Sequence, residues 1–336
     1  MVFLFKELHI NRYCKLNCIL DKPPMKYLLY LVLLYAVPSK SQPALADSII
    51  QKYSLQQTVS FLSQDSLRGR LTGSDGADAA AAFIAAKYDS AGLNSLEGNQ
   101  GYFDRFIAYH DSKSILAKNV VAAIPGKFTN DTMVIFSAHY DHIGERDDLP
   151  YNKEYNHNDD IFNGANDNAT GVAALLELAK YYKAQNNNRY MLLFVAFAGE
   201  EMGMLGSEYL IKKTNSKKIK AVINLEMLGR PQHNNCFVIS FSNKTIRNNL
   251  NNYLKKYQQP AAKRFFDSDP YPDENLIYRS DHYPFARKIR NAFTIMASSP
   301  ADIYYHSVED EYQTIDFDFL LKAAKNIALA CEQFTR

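Results

Sequence analysis

Short, unbroken apolar runs set among amphipathic stretches are what most restrict the folds open to this chain. The runs are NVVAAIP at 119–125, MVIFSA at 133–138, MLLFVAFA at 191–198, AVINL at 221–225, FVISF at 237–241 and AFTIMAS at 292–298. A strand with one wet face alternates apolar and polar residues, whereas a strand apolar throughout is buried on both faces. Helical patterns lie between and around the runs: DGADAAAAFIAAKYDSAG, stopped by Gly92 as a C-terminal cap, TGVAALLELAKYYKA from Thr170, GSEYLIKKT from Gly206, and FDFLLKAAKNIALACEQF near the end. The alternation predicts an α/β fold: a single domain with a mostly parallel, mixed central sheet and helices on both faces.

No Pro/Gly/Ser-rich linker, low-complexity tract or repeat divides residues 47–336, which we read as one domain. Residues 1–46 read as a leader. Within it, 25–46 carries Lys26, an apolar run from Tyr27 to Val37, and a polar stretch closing on Ala44-Leu45-Ala46. The run is short for a membrane span and has the shape of a secretory signal peptide with an A-x-A cleavage site. The alternative is an uncleaved anchor. We therefore expect a secreted or periplasmic protein with no stable membrane insertion after signal cleavage, and Met25 as a candidate start.

The leader holds six Lys/Arg and two Asp/Glu, a net +4, so the remainder carries +2 minus 4, or −2. That leaves no basic field for nucleic acid. Cys14 and Cys18 fall in the leader; Cys236 and Cys331 allow either one disulfide or two buried thiols.

A sheet of this kind gathers its chemistry beyond the carboxyl ends of its strands. His139 and Asp141 follow the 133–138 run, Glu200 and Glu201 follow 191–198, Glu226 follows 221–225, and Asp302 and His306 follow 292–298. Two adjacent glutamates at the end of a buried strand call for a cation, because desolvating one unpaired carboxylate costs several kcal/mol. Asp141 lies two residues beyond His139, so along an extended chain it points the same way and can hold the imidazole ring. Asp167, in NGANDNATG, precedes the helix expected from Thr170 and sits on a tight backbone. Taken singly, these are an ordinary hydrogen-bonded histidine, a turn aspartate and glutamates at a helix start. Taken together, they form a set able to hold two divalent ions with one shared carboxylate, and the imidazoles favour zinc over magnesium. The HExxH pattern is absent.

With the motifs LRGRLTGSDGADAAAAFIAAKY, HYDH, NGANDNATGVA, AFAGEEMGMLGS, NLEMLGR, RSDHYPF and YYHSVEDEYQTID in this order, the chain resembles the secreted di-zinc aminopeptidases of the bacterial leucine aminopeptidase and aminopeptidase Y type. Glutaminyl cyclases and glutamate carboxypeptidases are relatives of that family. The resemblance implies a zinc-exopeptidase-like fold over residues 47–336 and two Zn2+ ions bridged by Asp167. His139 and Glu226 would complete one site, and Glu201 and His306 the other. It further implies that Glu200 is the general base, that Asp141 orients His139, and that the peptide bond after Asp167 is cis. Glu226 is a departure, since the family has aspartate there, and it leaves a single Zn2+ as the alternative to the two expected.

Adjacent residues leaving a strand point to different sides, so one glutamate can bind metal while the other takes a proton. The expected activity is removal of the N-terminal residue from peptides with a free N-terminus. Two alternatives stand beside it. One is a glutaminyl cyclase-like acyl transferase, although the chain has no tryptophan and reads Tyr305-His306 where family cyclases carry one. The other is a non-catalytic peptide-binding module of the same fold. Arg230, Tyr278 and Phe285 are expected to line the substrate pocket.

Overall fold

A computed structural model describes residues 41–110, 112–148, 159–257, 264–299 and 301–336. The expected signal run at 27–37 lies outside the described residues. Eight strands appear among them: β1 Phe103–His110, β2 Lys113–Ile124, β3 Met133–His139, β4 Met191–Phe197, β5 Ile219–Glu226, β6 Cys236–Ile239, β7 Phe266–Ser268 and β8 Ala292–Met296. They form one sheet in the order β1-β2-β4-β3-β5-β8-β6-β7. The centre is parallel, with β3 between β4 and β5 and β8 beside β5. Antiparallel pairings join β1 to β2, β2 to β4 and β6 to β8, and β7 runs parallel to β6 at the far edge. The sheet is therefore mixed, as expected, with its parallel part where the candidate residues end their strands.

All six apolar runs are strands. β1 was not legible as one because, at an edge, it alternates: Asp104, Phe106 and Ala108 point inward while Arg105, Ile107 and Tyr109 face out. β7 is three residues long, too short to carry a pattern.

Both faces are covered. Val134 and Phe136 of β3 pack with residues of the helices Thr170–Gln185 and Phe317–Thr335. Ile135 turns to the other face, where Leu193, Val195 and Phe197 meet Leu210 and Ile211 of the helix Leu205–Lys213. The alanine-rich segment is a helix from Asp75 to Ser90, with the Ser74 side chain accepting the Ala77 N–H at its start and Gly92 at φ 67° just beyond its end. A helix over Gln42–Ile49 spans the expected processing point after Ala46 and buries that residue in the core. Cys236 and Cys331 are both buried free thiols. No helix among the described residues is long and apolar enough to cross a membrane.

Candidate metal centre

The carboxyl ends of β3, β4 and β5 deliver His139, the Glu200–Glu201 pair and Glu226 to one point, and two loops complete it. The first loop carries Asp167. Its backbone is tied down on several sides: Asn166 Oδ1 accepts the Gly229 N–H at 2.7 Å, and Asn168 Oδ1 accepts those of Gly171 at 3.0 Å and Met227 at 3.1 Å. The peptide bond between Asp167 and Asn168 is cis. Gly164 must be glycine here: it has φ 56°, and a Cβ would lie 2.6 Å from the His142 ring.

Arg70 braces the same loop from beneath. It is 1% exposed, and its guanidinium donates to the carbonyls of Tyr140 at 2.7 Å, Asn163 at 2.6 Å, Gly164 at 3.1 Å, and Leu62. Burial pulls this guanidinium down to about 10, and the nearby carboxylates, Asp141 foremost, oppose the fall.

The second loop carries His306. Its Nε2 lies 3.2 Å from Glu201 Oε2 and 3.4 Å from Asp167 Oδ2. On the other side, His139 Nε2 lies 2.7 Å from Glu226 Oε1 and 3.2 Å from Asp167 Oδ1. The two oxygens of Asp167 thus face two different groups of ligands, His139 with Glu226 and His142 with Glu201 and His306, and within each group the candidate ligand atoms lie within 4.8 Å of one another. Imidazole nitrogens and carboxylate oxygens at such separations are a zinc donor set. His142 turns its Nδ1 to the second group, 2.8 Å from Glu201 Oε1 and 3.9 Å from Asp167 Oδ2. The residues fit the metal.

The electrostatics point the same way. Burial alone would push the Asp167 carboxyl up, but hydrogen bonds from His139 and His306 and the charge of His142 hold it well below the usual carboxylate range. Glu201 follows suit at about 2: burial and Asp167 push up, His306 and His142 prevail. Conversely, burial opposes protonation of His306, yet Glu201 and Asp167 hold it at about 10. Protonated imidazoles stand where a cation is called for. Glu200 differs: burial first, then the charges of Glu226 and Glu201, push its carboxyl well above the usual range despite the opposing pull of His139.

All five expected ligands come together, and Glu200 lies beside them. Asp141 sits next to His139, but its backbone carbonyl at 3.1 Å is nearer to Nδ1 than its carboxylate at 3.7 Å. That carboxylate instead accepts the Glu200 N–H at 3.2 Å and the Thr72 hydroxyl at 2.9 Å, so it positions the glutamate pair as well as the ring. The longer side chain of Glu226 is accommodated by Asn224, which donates to Oε2 at 3.2 Å, and by the Ser280 hydroxyl, which donates to the same oxygen.

The three expected pocket residues have different surroundings. Phe285 is fully buried in the core beneath β4, against Phe197. Tyr278 is 50% exposed and packs edge-on against Phe241 and Tyr283. Arg230 is bound to Asp302 at 2.5 Å, Asp310 at 2.6 Å and Thr314 at 2.9 Å. Beside the cluster lies a recess of about 340 Å³, open solvent included, that Asp167, Glu200 and Glu226 share with Met227, Leu276, Arg279, Ser280, Met296 and Tyr305. His142, Arg70, Ser280 and Asp310 were missed as site residues. Of these only His142 carried a signal, its place in HYDH.

Residues 119–331 match the model of peptidase family M28. Among curated proteins, the chain is 30% identical over 222 residues to a protein named probable leucine aminopeptidase from Trichophyton verrucosum, covering 62% of this chain and 54% of that one. It is 25% identical over 216 residues to the aminopeptidase YwaD of Bacillus subtilis, covering 61% and 42%. The chain thus spans about half the length of the curated relatives it matches. In fold it is similar to a zinc aminopeptidase from Bacillus subtilis, with a TM-score of 0.67 at 15% identity, covering 84% of this chain and 95% of that one. It is also similar to a glutaminyl cyclase from Bacteroides thetaiotaomicron, with a TM-score of 0.64 at 19% identity, covering 84% and 97%.

Proposed function

The chain belongs to peptidase family M28, and on that premise we propose that it is a zinc-dependent aminopeptidase that removes the N-terminal residue of peptides. The observation that carries this reading is the placement of Glu200: it lines the 340 Å³ recess together with two candidate metal ligands, Asp167 and Glu226. We assign two zinc ions, one to His139 and Glu226, the other to Glu201 and His306, with Asp167 shared. Bound zinc supplies Lewis acidity, polarising a peptide carbonyl and making water a better nucleophile near neutral pH.

The chain's own residues do the rest. Glu200, in the recess wall beside the candidate ligands Asp167 and Glu226, takes a proton from the attacking water and returns it to the departing amine. Asp141 keeps Glu200 in place through its backbone N–H. The carboxylates of Glu200 and Glu226 on one recess offer counter-charge to a substrate ammonium. Met227, Leu276, Met296 and Tyr305 offer apolar contact to the side chain of the first residue, with Arg279 and Ser280 also in the wall. The leader pattern at 25–46 supports action outside the cytoplasm.

Incubation with Leu-nitroanilide, its N-acetylated form and a peptide beginning with Gln tests this. We expect hydrolysis of the free-amine compound and near-complete rejection of the acetylated one, since a buried polar site left unpaired discriminates strongly. Equal hydrolysis of both would refute an aminopeptidase. Conversion of Gln to pyroglutamate without peptide cleavage would assign a cyclase.

A further inference from the structure

Between the apolar run that ends at Val37 and the expected processing point stand two triplets with small residues at both ends, Ser39-Lys40-Ser41 and Ala44-Leu45-Ala46. Either has the form behind which a leader peptidase cuts. The fold treats them differently. Ala44-Leu45-Ala46 lies inside the helix Gln42–Ile49, whereas Ser41 is the residue before that helix, exposed and extended at φ −58°, ψ 149°.

The helix is part of the core. It packs against the helices Thr170–Gln185 and Phe317–Thr335. Ala46 is 1% exposed and belongs to the main apolar cluster, against which Leu45 also packs. Ile50 donates its N–H to the Ala46 carbonyl at 2.9 Å, and Asp47 pairs with Lys325 of the last helix at 2.8 Å. Just beyond, the buried carboxylate of Glu177 accepts the Gln51 N–H at 3.1 Å and the Ser54 hydroxyl at 2.7 Å, which ties down the end of the helix. A cut behind Ala46 leaves Asp47, Ser48 and Ile49, less than one helical turn, and so short a piece does not hold as a helix. The apolar surface that Leu45 and Ala46 cover is then open to water. A cut behind Ser41 gives up only the bond from the Leu45 N–H to the Ser41 carbonyl, at a helix start where water can replace it. It also keeps Pro43 in the first turn, where the missing N–H costs no hydrogen bond.

We infer, resting on the leader pattern, that the chain is cut at the Ser41–Gln42 bond and not behind Ala46, so that the mature protein begins at Gln42. The step is a hydrolysis: a leader peptidase of the secreting cell adds water across the bond, Ser41 leaves with a carboxylate at the end of the leader, and Gln42 keeps a free α-amine. That amine can then displace ammonia from the glutamine's own side-chain amide and close a lactam.

Secretion of the full chain from a bacterial host, followed by N-terminal sequencing and intact mass, reads the cut directly. We expect Gln42 as the first residue, open or cyclised. Ala44→Leu, at an exposed helix position, spoils the second triplet and should leave the start at Gln42. Ser41→Leu, also exposed, spoils the first and should yield no chain that starts there. A parent chain that starts at Asp47 or Lys40, or a Ser41→Leu chain that still starts at Gln42, would overturn the processing point and leave the leader pattern intact. Recovery of the parent only with Met1 or Met25 at its start would overturn both. The aminopeptidase reading stands apart from each of these outcomes.

Discussion

The carboxylate of Asp310 accepts the backbone N–H of Asp167 at 3.1 Å. Its other oxygen accepts the N–H of Asn166 at 2.9 Å and a bond from Arg230 at 2.6 Å, and Arg230 is held in turn by Asp302. A fully buried carboxylate so engaged sets the direction of the shared ligand without touching any ion. We expect Asp310→Ala to weaken zinc binding about 10- to 100-fold, the usual effect of losing a group that orients a ligand. Arg230→Ala should weaken it in the same direction, and the double variant should lose less than the sum, because both act through one network. Chelator competition on the purified variants measures this; additive losses would separate Arg230 from Asp310.

Glu200 and Glu226 should part company under substitution. Glu200→Gln is expected to lower kcat by about 10²- to 10⁴-fold, the range for a lost general base, with zinc retained. Glu226→Ala is expected to lose metal, because His139 and Asp167 alone remain on that side. Elemental analysis beside the kinetics decides: zinc lost in Glu200→Gln would make Glu200 a ligand, and full zinc in Glu226→Ala would remove Glu226 from the ligand set.

The metal-free protein should show a definite pH dependence. His306 is raised from 6.5 to about 10 against the effect of burial, by Glu201 and Asp167. A group whose folded value is raised stabilises the fold fully below its unfolded value and loses that contribution as pH climbs through the folded one. The Tm of the zinc-free protein should therefore fall progressively between about pH 6.5 and 10. Zinc loading should flatten the fall, since a ligating imidazole is already deprotonated. For the same reason, zinc binding at pH 7 should release protons, which calorimetry in buffers of different ionisation enthalpy reads. A zinc-free Tm that stays level over this window would show that the imidazoles are not the counter-charge.

Much of this was written locally. The six apolar runs became strands because a strand buried on both faces shows its burial in every residue, with no partner needed to interpret it. The residues just past those runs, His139, Glu200, Glu201 and Glu226, were legible for the same reason: polar groups at the end of a buried strand have few other uses in such a sheet. Asp167 and His306 needed the motif context as well. What the chain alone did not reveal is whatever depends on segments far apart meeting. Arg70 has its meaning from carbonyls of residues 62, 140, 163 and 164, and Asp310 from N–H groups more than a hundred residues earlier. The pocket shows the same limit most plainly. Arg230, Tyr278 and Phe285 are side chains of the right type near the right motifs, yet whether a side chain meets a cavity, solvent or core depends on the packing around it. Here tertiary packing sent Phe285 inward against Phe197, tied Arg230 to Asp310, and brought Met227, Leu276, Arg279, Ser280, Met296 and Tyr305 to the recess beside the ligand carboxylates.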